Sequence, residues 1–174
     1  MAKILADNLK VAFDTPSGFP DNDVAYWPPH RGGSQTNSIA TGGTLVLEWT
    51  RLSDLLGDPI YAQLAQRAQQ YLLRPQPSSS EPFPGLIGSN VNVQTGQLVN
   101  SDGGWVAGSD SFYEYLLKMY LYDPSRFSEY KDRWITAADS SIRYLASNPT
   151  SRPDLTFLAQ YSGTTVNFNG QHCK

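Results

Sequence analysis

The sequence predicts a mainly α fold, built from helical hairpins with short β-hairpins set into long loops. Three observations lead to it. Two stretches of amphipathic helical pattern are each split by a short Asp-Pro junction, Asp58-Pro59 and Asp123-Pro124. The segments between and before them, 14–43 and 74–108, are long and rich in Gly, Pro, Ser and Asn. Two short runs of strand-forming residues flank turns that carry Gly96 and Gly163.

The chain opens inside a helical pattern, with Ile4, Leu5, Leu9, Ala12 and Phe13 on one stripe. Asp14-Thr-Pro-Ser-Gly18 ends it. A start with a helix already running reads as an internal segment of a longer domain. Residues 14–43 read as one long loop, a length that usually marks function or disorder. A second helix begins near Thr44, with Leu45, Trp49, Leu52 and Leu56 as its buried face. Gly57 stops it, and Asp58 and Pro59 serve as N-cap and first position of a third helix reaching Leu73. So short a link makes an αα-hairpin.

Within 74–108, Val91 and Val93 face Leu98 and Val99 across Gln94-Thr-Gly-Gln97, a short β-hairpin. A fourth helix runs from about Ser111 to Tyr122. Asp123-Pro124 repeats the cap and proline, and a fifth helix reaches about Ala146. Leu155–Tyr161 and Thr164–Phe168 then form a second β-hairpin around Ser162-Gly163. The helix pairs are dissimilar and their loops long. That separates the pattern from a solenoid of near-identical repeats and puts function in the loops at one end.

The 174 residues suit one domain or part of a larger one. No apolar run is long enough to span a bilayer. A formal charge of −3 leaves no basic footprint for nucleic acid. Charged residues make up only 17% and aromatics 12%, a balance that suits stacking on neutral sugars as well as an ordinary core. Cys173 is the only cysteine, so no internal disulfide and no cysteine-type zinc site can form. His30 and His172 lie far apart and show no metal spacing. Lys3 and Asp7 occupy the place of the apolar core of a secretory leader. There is no N-glycosylation sequon.

Three acids stand out. Asp110 and Glu114 are four apart at a helix start, hence on one face. The plain alternative is a capping box, Ser111 with Glu114, and taken alone the turn favours capping over chemistry. Against it, Phe112, Tyr113 and Tyr115 are a poor choice for a merely solvated helix start. Glu48 lies between Leu47 and Trp49 beside a core stripe, so partial burial and a polar partner are expected. Asp58 and Asp123 read as caps, Asp54 as a surface residue and His30 as a loop residue.

Five segments occur in one order: Ala12-Phe-Asp-Thr-Pro-Ser-Gly18, Gly43-Thr-Leu-Val-Leu-Glu-Trp-Thr-Arg-Leu-Ser53, Gly57-Asp-Pro-Ile-Tyr61, Pro84-Gly-Leu-Ile87 and Asp110-Ser-Phe-Tyr-Glu-Tyr-Leu-Leu-Lys118. In these the chain resembles the class I α-1,2-mannosidases, glycoside hydrolase family 47, over nearly its whole length. It looks most like the secreted filamentous-fungal branch. The resemblance implies part of an (α/α)7 barrel, and hydrolysis of terminal α-1,2-linked mannose from high-mannose N-glycans with inversion and with calcium. It implies a high-mannose oligosaccharide or glycoprotein as partner, a monomer, and a secretory or extracellular location. By motif, Asp110 matches a catalytic carboxylate, while Glu114 and Glu48 match acids that line the same pocket.

Departures from the family pattern mark 1–174 as a partial catalytic domain, truncated at both ends and inactive alone. The FE[ST]TIR segment with the proposed general acid should precede Met1. The second catalytic Glu and the calcium-ligating Thr should follow position 174, which leaves no metal ligand in this chain. Thr41 stands where the family usually has Glu. The QHLxCFxGG segment is reduced to Gln171-His-Cys-Lys174, and the family's cysteine would pair with a partner downstream. Two other expectations compete: a non-catalytic mannose-glycan-binding relative, and a structural helical-hairpin protein.

Overall fold

A computed structural model describes the backbone of residues 1–172 and the side chains of residues 1–168. The expectations for Cys173 and Lys174 lie outside the described residues. The fold is mostly helical, with short antiparallel strands. Helix α1 (Ala2–Leu9) passes into a 3-10 turn, Lys10–Phe13. Strands β1 (Val24–Tyr26), β2 (Pro29–Arg31) and β3 (Thr36–Ser38) and the short helix α2 (Ile39–Gly43) follow. Helices α3 (Val46–Leu56) and α4 (Ile60–Leu73) form the first hairpin, and α5 (Asp110–Tyr122) and α6 (Ser128–Ser140) the second. Between the hairpins lie β4 (Asn90–Asn92) and β5 (Asp102–Gly103). After them, a π-helical turn Ser141–Leu145 leads to β6 (Ala146–Ser147), β7 (Phe157–Ser162) and β8 (Thr165–His172).

The junctions behave as cap chemistry requires. Gly57 takes the left-handed conformation, φ 67°, that closes α3. Asp58 Oδ1 accepts from the Ile60 amide at 3.1 Å, filling one of the donors a helix start leaves open, but α4 begins at Ile60, so Pro59 and not Asp58 holds the N-cap position and the helix starts one residue later than expected. Asp123 is a different case from the one expected. Its Oδ1 accepts from the amides of Ser125 and Arg126, so it organises the turn 123–127, and α6 starts only at Ser128.

Helix α2 is the keystone. Its Ile39 is fully buried and it packs on both α4 and α5. Gly42 permits this, because a Cβ there would lie 2.4 Å from the Phe19 ring. The buried Gln69 of α4 donates its Nε2 proton to the Gly43 carbonyl, pairing a group that α2 leaves open at its end. From α5, Phe112, Tyr113, Leu116 and Met119 enter the same core. Burying each contributes about 2 kcal/mol, so α5 is fixed far more by tertiary packing than by its own propensity.

Several expectations shift. The N-terminal stripe holds only in part: Ala6, Ala12 and Phe13 are buried, while Ile4 and Leu5 stand exposed. The turn to 3-10 geometry after Leu9 rotates the later residues inward and leaves the earlier ones out. The 14–43 segment holds three strands and a helix as well as loop. On α3 the buried face is Val46, Trp49, Thr50 and Ser53, one residue on from the expected stripe, and Leu56 is exposed. Polar Thr50 and Ser53 face inward because α4 supplies partners, the Gln66 side chain and the Ala62 amide. The turn at Gly96 forms, with a Val91–Leu98 bridge, but the ladder partner of β4 is β3, with Asn37 opposite Val91. The β7–β8 hairpin forms around Gly163 as expected, with Ser162 opposite Thr165, and β7 also pairs with β5 and β6.

Candidate functional site

Helices α3 and α5 lie side by side and run parallel. Tyr115 meets Glu48 near their starts, and Tyr122 meets Asp54 near their ends. The long loops 14–38 and 74–109 therefore arrive at the end of the bundle where both helices begin.

The launch of α5 is tightly held. Gly108 has φ 94°, and the buried Ser109 turns its Oγ back to the Gly104 carbonyl at 2.7 Å. Trp105 Nε1 donates to Ser141 Oγ at 2.7 Å, and its ring packs 4.7 Å from that of Tyr113. The Gly108 carbonyl accepts from the Ala40 amide of α2 at 3.0 Å. Asp110 emerges from this frame as the first helical residue. It is exposed, and its Oδ1 accepts from the Ser111 amide at 2.8 Å.

No capping box forms. Ser109 occupies the N-cap and its hydroxyl points away from the helix amides. Ser111 already lies inside the helix, its Oγ toward Asp110 Oδ1. Glu114 points along the helix to Lys118, 2.7 Å away. The capping reading of Ser111 and Glu114 is thus replaced by a chain of polar contacts. Lys118 Nζ stands 4.7 Å from the centroid of the Tyr115 ring, and Tyr115 OH donates to Glu48 Oε1 at 3.1 Å. One lysine and one tyrosine join Glu114 to Glu48. Asp110 opens the same helix one turn before Glu114.

Glu48 is exposed, not partly buried as its neighbours suggest, because the inward turn of α3 carries it out of the core. Its expected polar partner is present in Tyr115. Burial raises the Tyr115 phenol above its ordinary range, and the Glu48 carboxylate pushes the same way. The salt bridge to Glu114 raises the Lys118 ammonium. Glu48 also edges an apolar groove of about 490 Å³ lined by Leu47, Leu52, Leu55 and Tyr122.

Among the described residues, no three His, Cys, Asp or Glu side chains gather to hold a metal ion. Glu114 pairs with Lys118 and Glu48 accepts from Tyr115, and these acids do not converge with a third ligand on one point, which does not fit a calcium site. Tyr115 and Lys118 are the members that reading the acids alone misses. The i, i+4 spacing of Glu114 and Lys118 is the signal that exposes one of them.

A family model described as glycosyl hydrolase family 47 matches residues 1–174. A probable mannosyl-oligosaccharide α-1,2-mannosidase 1B of Aspergillus clavatus is 60% identical over 171 residues, 98% of this chain and 34% of that protein. A mannosyl-oligosaccharide α-1,2-mannosidase of Penicillium citrinum is 60% identical over 168 residues, 97% and 33%. The solved α-1,2-mannosidase from Trichoderma reesei superposes with a TM-score of 0.93 at 54% identity, over 95% of this chain and 34% of that one. The chain spans about a third of the length of the relatives it matches.

Proposed function

The chain belongs to glycosyl hydrolase family 47, and from that premise we propose that residues 1–174 are part of the catalytic domain of an α-1,2-mannosidase. The substrate is a high-mannose oligosaccharide or glycoprotein, from which terminal α-1,2-linked mannose is removed with inversion. The domain is an (α/α)7 barrel, monomeric, in the secretory pathway or outside the cell. The observation that carries the reading is that the most family-specific segments, with Glu48 and with Asp110 to Lys118, meet in one exposed cluster at the loop end of the helices.

In this reading each residue has a part that its surroundings suit. An inverting glycosidase places a carboxyl on either side of the sugar, with room for a water on one side. Asp110 is the carboxylate this chain contributes. It already accepts from an amide at a helix N-terminus, where the dipole favours an anion, and it orients the attacking water or a sugar hydroxyl. Glu114 and Glu48 each use one oxygen on an internal partner and keep acceptor capacity for mannose hydroxyls. Calcium, where the intact domain held it, would supply Lewis-acid anchoring of sugar hydroxyls. The acids present here do not form its site.

The chain alone is inactive in this reading, since it brings one member of the carboxyl pair. The test is α-1,2-mannobiose hydrolysis with calcium, by the chain alone and by a chimera in which it replaces the matching third of the Penicillium citrinum relative. The chimera should turn over, and Asp110→Asn should slow it roughly a thousandfold. Robust turnover by the chain alone would refute its inactivity. An Asp110→Asn chimera at full rate would refute the role of that residue.

A further inference from the structure

The β1–β2 hairpin carries at its tip the most exposed indole of the molecule. Trp27 is 93% exposed and the adjacent Tyr26 68%. Two adjacent large aromatic rings exposed on one protrusion form a contiguous apolar patch, the kind of surface that marks interaction sites. The acid cluster does not use this tip.

The tip is held ready. Asp21, nearly fully buried, accepts from the amides of Asp23, Gly33 and Ser34, so one carboxylate ties together both legs of the hairpin at its base. Val24 pairs with Arg31 and Tyr26 with Pro29, and Pro28 and Pro29 follow Trp27 directly. The backbone that carries the rings therefore needs little ordering on binding, which is where flexible loops lose affinity. The tip itself, Tyr26-Trp-Pro-Pro29, carries no charged side chain, and Arg31 farther along β2 is turned toward Asp21 at 3.7 Å. That does not suit a phosphate or an acidic peptide, and it matches a neutral partner.

Placement decides which neutral partner. Val24 and Tyr26 face Thr41, Leu45 and Trp49 across a cavity of about 200 Å³, so the hairpin stands over the start of α3. Glu48 and Asp110 occupy that same end. We propose that Tyr26 and Trp27 form a stacking subsite for the mannose chain, engaging sugar residues beyond the one at the acid cluster through their apolar faces. This rests on the mannosidase reading above.

The test is titration of the 174-residue chain with α-1,2-mannotetraose, following the Trp27 indole N–H by NMR against Trp49, Trp105 and Trp134. Saturable movement of the Trp27 signal is expected, with affinity lowered about tenfold in Trp27→Ala and less in Tyr26→Ala. Both variants should keep the parent's circular dichroism, because both side chains stand in water. Asp110→Asn should still show saturable movement of the Trp27 signal, whatever affinity is lost at the acid cluster. So binding without any hydrolysis in the chimera sinks the catalytic reading and leaves the subsite standing. Hydrolysis with a KM untouched by Trp27→Ala does the reverse. Three further results overturn the subsite: no Trp27 movement at millimolar sugar, equal movement with maltotetraose, or movement that tracks protein concentration without sugar and so reports a second copy on the tip.

Discussion

Replacing Asp21 with Asn is isosteric, and its cost can be worked from the hydrogen bonds. Oδ1 accepts from Asp23 at 3.1 Å and Ser34 at 3.2 Å, and Oδ2 accepts from Gly33 at 3.0 Å. An amide has one oxygen. In its better orientation that oxygen keeps the Asp23 and Ser34 bonds, and the new NH2 then faces the Gly33 N–H, donor against donor. The two bonds retained also lose their ionic strengthening. An orphaned buried donor costs about 1–3 kcal/mol. Gly33 lies close enough to water to relax, so about 2 kcal/mol is expected, a sizeable share of a typical domain stability. Burial works against the Asp21 carboxylate, but the three amides and the Ser34 side chain outweigh it and hold the carboxyl below its ordinary range. A lowered folded pKa gives stability that is present above the unfolded value, about 3.9, and lost as pH falls through the folded value. Urea unfolding at pH 7 and at steps toward pH 2 should therefore show Asp21→Asn destabilised at neutral pH, with the gap to the parent closing in acid. Amide exchange at Gly33 and Ser34 should speed up. A variant matching the parent's midpoint at pH 7, with unchanged exchange at both amides, refutes the claim that Asp21 holds the hairpin.

Gly85→Ala should cost about 3 kcal/mol by thermal or urea unfolding, since φ is +81° and the new Cβ would meet the Ala137 amide nitrogen at 2.4 Å. Glu48→Gln should bring the Tyr115 phenol down toward its ordinary range without reaching it, because burial remains; an unmoved ultraviolet titration of Tyr115 would break the Glu48 link. Asp54 should titrate below the ordinary Asp range by carboxyl-carbon NMR, held there first by Tyr122 and then by Arg126. Tyr122→Phe should move it back up, and no movement would show that Arg126 suffices.

What could be read from the sequence follows the range of each interaction. Gly57 with Asp58-Pro59, and Gly163 between two β runs, act over a few residues and gave their elements correctly. Leu56 and Leu5 misled, because periodicity fixes a helix's face only to within one position while the packing partner chooses among them. Thr50 and Ser53 face inward for partners on α4 that no local pattern announces. Ser111 and Glu114 fit the capping box letter for letter, yet Ser109 takes the cap because Gly104 and Val106 anchor it from the preceding turn. The acids themselves were legible, as motif members. Their linkage through Tyr115 and Lys118 required α3 beside α5, a contact spanning 67 residues.

Connection length also tells which end of the bundle holds the site. A three-residue junction such as Gly57-Asp58-Pro59 can only reverse the chain, so α3 and α4 run antiparallel, and the same holds for α5 and α6 across the short turn after Asp123. Since α4 returns the chain to the end where α3 began, the next long segment must start there and deliver α5 from there. Glu48 opposite Tyr115 and Asp54 opposite Tyr122 are the signature of that parallel pair. Every long segment between or before the hairpins is thereby confined to one end, and every short junction to the other. Asp110 as the first residue of α5, Glu48 in the first turn of α3, and the Tyr26–Trp27 tip in the segment before α2 share that end for the same topological reason. Lengthening the Gly57-to-Pro59 junction by two residues should consequently disturb stability and leave the environment of Tyr115 as it is. Shortening 74–109 by two should displace Asp110 and Tyr115 together. A Tyr115 titration that moves with the first change and ignores the second would overturn this account of how the site is assembled.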